Sequence, residues 1–99
     1  MILEHALITI RPGTGDDFEE ALTRARPVIA SSHGFISLEL HHGIEQPDQY
    51  LLLVEWESLD DHLVGFRASA AFTEWRALIG PFFESPPIVG HFAPVDALT

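Results

Sequence analysis

The segment from Ile2 to Arg11 is apolar on both of its alternations, with Ile2, Ala6, Ile8 and Ile10 on one side and Leu3 and Leu7 on the other. A period of two is the mark of a strand, and a strand that is apolar on both faces has to be covered on both. A chain of 99 residues has little material for that task. At this size a domain removes only about 60–70% of its unfolded surface from water. One face therefore falls to the chain's own helices, and the other to a second copy.

The rest of the pattern fits this division. Pro12 and Gly13 end the strand, and Asp16 and Asp17 open a helix at the end where its dipole favours acids. Phe18, Leu22, Ala25 and Ile29 follow as one stripe; Pro27 is expected to kink the helix and His33-Gly34 to stop it. Phe35 to His42 and Gln49 to Glu57 read as two strands joined by a loop from Gly43 to Asp48. Setting Gly43 against Gln49 puts Leu40 opposite Leu52, Leu38 opposite Val54 and Ile36 opposite Trp56, six side chains on one face. The reverse face carries Ser37, Glu39 and His41 against Leu51, Leu53 and Glu55. Ile88 to Val95 supplies a last strand. The order strand, helix, two strands, helices, strand predicts a ferredoxin-like α+β fold of type βαββαβ, a four-stranded antiparallel sheet with helices on one face. Leu3, Leu7, Leu51, Leu53 and Val89 would remain on the other, so a homodimer closed into an α/β barrel is expected.

The chemistry is expected between Trp56 and Trp75. Leu59, Leu63 and Phe66 make one helical stripe with His62 among them, and Phe72, Trp75 and Ile79 make another with Arg76 beside them. An imidazole and a guanidinium on apolar stripes point to a lined cavity. Trp56 closing a strand, the Ser58 to His62 helix start, the break at Gly65 to Ser69 and the Phe72/Trp75 helix resemble the antibiotic biosynthesis monooxygenase domain family. The layout is similar over nearly the whole chain, which implies a single domain over residues 1–99 and the same dimeric barrel.

The resemblance also implies roles. In the family's quinone-forming members the matching tryptophan lies in a cavity between sheet and helices, with a tyrosine where this chain has His62 and an arginine at Arg76. An asparagine of the second hairpin strand falls on Leu52, and the chain has no asparagine at all. In the haem-degrading branch, the first-strand asparagine falls on Ala6 and the haem-ligating histidine on Arg76, which argues against that reaction. The implied activity is a cofactor-independent oxygenation of an electron-rich aromatic, a hydroquinone or polycyclic phenol. His62 would be the base, with an ordinary imidazole pKa near ~6.5, and Arg76 the anion clamp. Trp56, Phe66, Phe72 and Trp75 would bind the substrate. A non-catalytic ligand-binding or structural barrel and an acid–base cyclase or isomerase remain open alternatives.

Composition narrows the field. Fifteen acids against five arginines give a formal charge of −10, which repels nucleic acid and anionic membranes. Absence of cysteine removes thiolate chemistry, and absence of lysine removes Schiff bases and the P-loop. No signal-like or membrane-spanning run is seen, so a cytoplasmic protein is expected. His41 and His42 point to opposite faces of a strand, and no HxxxH or HxH spacing occurs, so no metal is expected. His5, Glu39, His41 and His91 are the candidates for a second polar site on the dimer face. Arg67 is expected to reach solvent or cap its helix.

Overall fold

The computed structural model describes residues 1–98. Strands β1 (Ile2–Thr9), β2 (Phe35–His42), β3 (Gln49–Trp56) and β4 (Ile88–Phe92) form one antiparallel sheet in the order β2-β3-β1-β4. The crossovers are α1 (Gly15–Ala30) and, after a π-helical turn (Asp61–Phe66), α2 (Ala70–Ile79). This is the expected ferredoxin-like architecture. Among the described residues, no helix is long and apolar enough to cross a membrane.

The core lies between the sheet and its helices. Ala6, Ile8, Leu52, Val54 and Trp56 of the sheet meet Phe18, Leu22, Ala25 and Ile29 of α1 and Trp75 and Ile79 of α2. The α1 stripe is thus the packing face that its spacing predicts, and the helix runs on through Pro27 to Ala30. Tyr50 ties β3 to α1 by donating its hydroxyl to Glu19 at 2.6 Å. Gly34, at φ 83°, turns the chain into β2 against the Asp61 carboxylate. A Cβ there would collide with that group.

Three expectations need correction. Leu40 faces Leu52 and Leu38 faces Val54, but the register slips between Phe35 and Ser37, so Phe35 and not Ile36 stands opposite Trp56. A bulge lets the larger ring cover the tryptophan, edge-on at 6.0 Å. Ile36 is left exposed. Second, the helix after Trp56 is wound as a π turn, with His62 and Phe66 as its buried pair and Leu59 in solvent. Third, β4 pairs so that His91 lies opposite Glu4 and Val89 opposite Ala6, on the helix side of the sheet. Ile88 and Phe92, opposite Leu7 and Leu3, take the reverse face instead.

Candidate active site

Glu4 occupies the gap in the apolar series Ile2, Ala6, Ile8, Ile10, and this places a carboxylate in the core-facing row of β1. It is only 6% exposed. A buried carboxyl needs donors. Trp56 Nε1–H donates to Glu4 Oε1 at 3.0 Å, and His62 Nε2 approaches the same oxygen at 3.3 Å. His62 is held flat against Trp56, with ring centroids 5.3 Å apart and planes 18° from parallel. Its other nitrogen, Nδ1, lies 2.8 Å from His91 Nε2. Trp56, Glu4, His62 and His91 are therefore one continuous polar chain threaded through an aromatic cluster.

Burial sets the charges of this chain. It raises the Glu4 pKa above the ordinary carboxylate value, against the Trp56 hydrogen bond and the Arg67 charge, which lower it. Burial also brings His62 from 6.5 down to about 4, with the Arg67 and His91 charges acting in the same direction. His91 is lowered by desolvation and then by Arg67. Both imidazoles are neutral at pH 7. The expectation of an imidazole titrating near neutrality is thereby corrected, because desolvation at a nearly closed site, and then the Arg67 and His91 charges, disfavour the imidazolium.

A stability experiment reads this shift. Between pH 6.5 and about 4 the unfolded chain binds a proton at His62 and the folded chain does not, so stability falls as the pH drops through that window. The loss amounts to about 3 kcal/mol at the lower end. His62→Phe keeps a ring against Trp56 and removes the titration. Urea melts at pH 7 and pH 4 are expected to show a smaller loss for the variant by that amount; equal losses would mean that His62 is not the responsible group.

Next to Glu4 an open cleft of about 590 Å³ lies between the sheet and α2. Ala6, Ile8, Leu52 and Ile79 give it an apolar lining, Phe72 and Trp75 an aromatic one, and Glu4, Glu84, Arg67 and Arg76 its charges. The Gly80–Pro87 segment closes one side, tied to β1 by the Glu84 amide on Thr9 O at 2.8 Å and to the turn after it by the Arg11 amide on Phe82 O at 2.9 Å and the Arg11 guanidinium on Pro81 O. Of the residues singled out in the sequence, Phe72, Trp75 and Arg76 line this cleft. Trp56, Phe66 and His62 do not: they are 0%, 2% and 3% exposed and stand behind Glu4 as its support.

Arg76 also differs from expectation. It follows Trp75 by a rotation of about 100° on the helix, which carries it off the buried stripe, and it is exposed. Its guanidinium lies 6.0 Å from the Phe72 ring centroid and 5.5 Å from that of Phe83, and it makes no ion pair among the described residues. Arg67, expected to turn to solvent, is exposed but also lines the cleft and carries the charge felt by Glu4, His62 and His91.

The second polar set does not assemble. His91 faces the helices, whereas His5 lies opposite Leu53 on the other face. There His41 stands 3.8 Å from Glu39, both of them exposed. Among the described residues, only His33, Glu57 and Asp61 bring potential ligand atoms within 4.8 Å of one another. His33 is 90% exposed, and Asp61 serves the helix start by accepting the Ser58 hydroxyl at 2.9 Å.

Comparison with known proteins agrees with this architecture. The family model described as antibiotic biosynthesis monooxygenase matches residues 1–78. The chain belongs to that family. An uncharacterised protein of Bacillus subtilis, YczJ, is 42% identical over 95 residues, covering 96% of this chain and 100% of its own length. A crystal structure from Bordetella bronchiseptica that carries the antibiotic biosynthesis monooxygenase name is 45% identical, with a TM-score of 0.93 over 95% of this chain and 96% of that one. SnoaB, a cofactor-independent oxygenase from Streptomyces nogalater, shares the fold with a TM-score of 0.76 at 19% identity, over 94% of this chain and 91% of that one.

Proposed function

We propose that the protein is a monooxygenase that works without flavin, haem or metal on a small electron-rich aromatic, a hydroquinone or polycyclic phenol, held in the cleft beside α2. The observation that carries this reading is a buried carboxyl opening into an aromatic-walled cleft that also presents two arginines. Glu4, and not His62, is the group that meets the substrate proton, and His62 orients it from behind. Phe72 and Trp75 pack on the ring, and Arg76 with Arg67 balances the anion.

The reaction asks for no more than this. A phenol or anthrone that loses a proton becomes an electron-rich anion able to reduce oxygen directly. One oxygen atom joins the ring carbon, the other leaves in water, and every electron comes from the substrate. What the protein supplies is a base, a counter-charge and a dry pocket. A fold shared with a cofactor-independent oxygenase supports the reading.

The test is oxygen uptake by metal-stripped, flavin-free protein across a panel of hydroquinones and anthrones. Uptake matched by quinone formation is expected, and Arg76→Ala should raise KM by about two- to fivefold with a smaller change in kcat, the modest effect of an exposed, screened charge. Ligands that quench Trp75 fluorescence without any uptake would make the protein a binding domain instead.

A further inference from the structure

The two histidines behind Glu4 do more than a support requires. A carboxyl can be oriented by one donor, and Trp56 already supplies one at 3.0 Å. Yet His62 bridges from Glu4, at 3.3 Å, to His91, at 2.8 Å, and His91 sits on β4 at the edge of the sheet, only half-buried. We propose that His62 and His91 form a proton path between the Glu4 carboxyl in the cleft and solvent at the sheet edge. This rests on Glu4 being the base of the proposed reaction.

The need for such a path comes from the cleft itself. Glu4 is 6% exposed in the empty protein, and an aromatic lying on Ala6, Phe72 and Trp75 would cover what remains. A covered carboxyl cannot exchange protons with water through the substrate. The charged groups facing the path are Arg67, acting on all three members, and Arg76 and Glu84 on the cleft wall. Burial, and after it the Arg67 charge, leaves the imidazoles neutral, the state in which each ring can accept a proton at one nitrogen while giving one up at the other.

The proton count closes. One proton lies between His62 Nδ1 and His91 Nε2, so the two neutral rings are locked in the same tautomer. When His62 carries its proton on Nδ1, a proton on Glu4 passes to His62 Nε2, that on His62 Nδ1 passes to His91 Nε2, and that on His91 Nδ1 leaves to water. Both rings are then protonated on Nε2, which is the arrangement for the reverse passage. Oxygenation uses one passage each way: outward when the substrate ionises, inward when the peroxide oxygen is protonated before water departs. The net transfer over a turnover is zero, as the overall reaction demands.

The path can be read without oxygen. Mixing the protein anaerobically with 1,8-dihydroxyanthrone and following the coloured anion by stopped flow measures proton removal alone. His91→Gln retains a donor for His62 and cannot pass a proton; His91→Phe removes both functions. Both are expected to leave anion formation on ionised Glu4 intact and to slow the appearance of that proton in solution, read with a pH indicator in weakly buffered protein, at least tenfold, and added imidazole should restore that rate in His91→Phe but not in His62→Gln. Histidine-labelled wild-type protein should show the two rings sharing one tautomer by nitrogen NMR. Equal rates of proton appearance in wild type and both His91 variants would overturn the path and leave the oxygenase reading standing. No anion in the wild type would overturn both.

Discussion

Glu4→Gln is expected to lower turnover of a hydroquinone or anthrone by about 10²–10⁴, the usual contribution of a general base, with little loss of stability. The amide keeps the shape of the side chain and an oxygen for the Trp56 N–H, and it removes a carboxyl whose ionisation burial disfavours. Substrate affinity should change far less than kcat, because the base acts mainly in the transition state. The pH profile carries a second signature. Activity requires ionised Glu4, so it rises with pH through the raised Glu4 pKa, and the acid limb lies above the ordinary carboxylate range. That limb should vanish in Glu4→Gln, leaving a flat residual rate. A variant with threefold or less loss of turnover and an unchanged limb would remove Glu4 from the chemistry. Glu4→Asp, one methylene shorter, should fall between the two, since the carboxylate then withdraws from both the cleft and His62.

The fold was legible because its signals are local and periodic. Alternation in β1 and β3 and the Phe18, Leu22, Ala25, Ile29 stripe each name an element and its buried face without reference to anything distant. The site was legible only where it shared that property. Phe72 and Trp75 line the cleft, as both belong to the stripe of α2. Glu4 carries no periodic signal of its own, although it sits in the alternating row between Ile2 and Ala6. An acid at a core-facing strand position is the signal that could have found it, since such a group is costly unless it has partners. The role of His91 was beyond reach for a different reason. Which face it occupies depends on how β4 pairs with β1, and a five-residue strand of mixed polarity does not fix its own register. The slip between Phe35 and Ser37 and the π winding at His62 are likewise settled by fit around the Trp56 ring, a tertiary matter. Arg76 shows the limit of adjacency: it follows Trp75 in sequence, yet it lines the open cleft and not the core.

Leu53→Asp is expected to turn a dimer into a folded monomer. The helix-free face of the sheet carries Leu3, Leu7, Leu51 and Leu53, each partly exposed, with Ile88 at 66% and Phe92 at 56% exposure beside them. A contiguous apolar face of this kind marks a contact surface, and a second copy of the sheet is the proposed cover. His5 adds a polar argument, for its Nδ1 is buried without a hydrogen-bond partner among the described residues. Leu53 lies at the middle of this face, opposite His5 on one side and Glu39 on the other. In a lone chain an aspartate there is half in water and tolerable. Between two sheets it is an unpaired charge, placed beside Glu39 and repeated in each copy, at a cost of several kcal/mol. Sedimentation at micromolar concentration should give a dimer for the wild type and a monomer for the variant, with the dissociation constant raised at least ~10³-fold. Circular dichroism should show the variant folded, and Leu53→Ala, which removes volume but adds no charge, should weaken the dimer less. A wild-type monomer under these conditions, or a Leu53→Asp dimer of unchanged strength, would show that this face meets something other than a second copy.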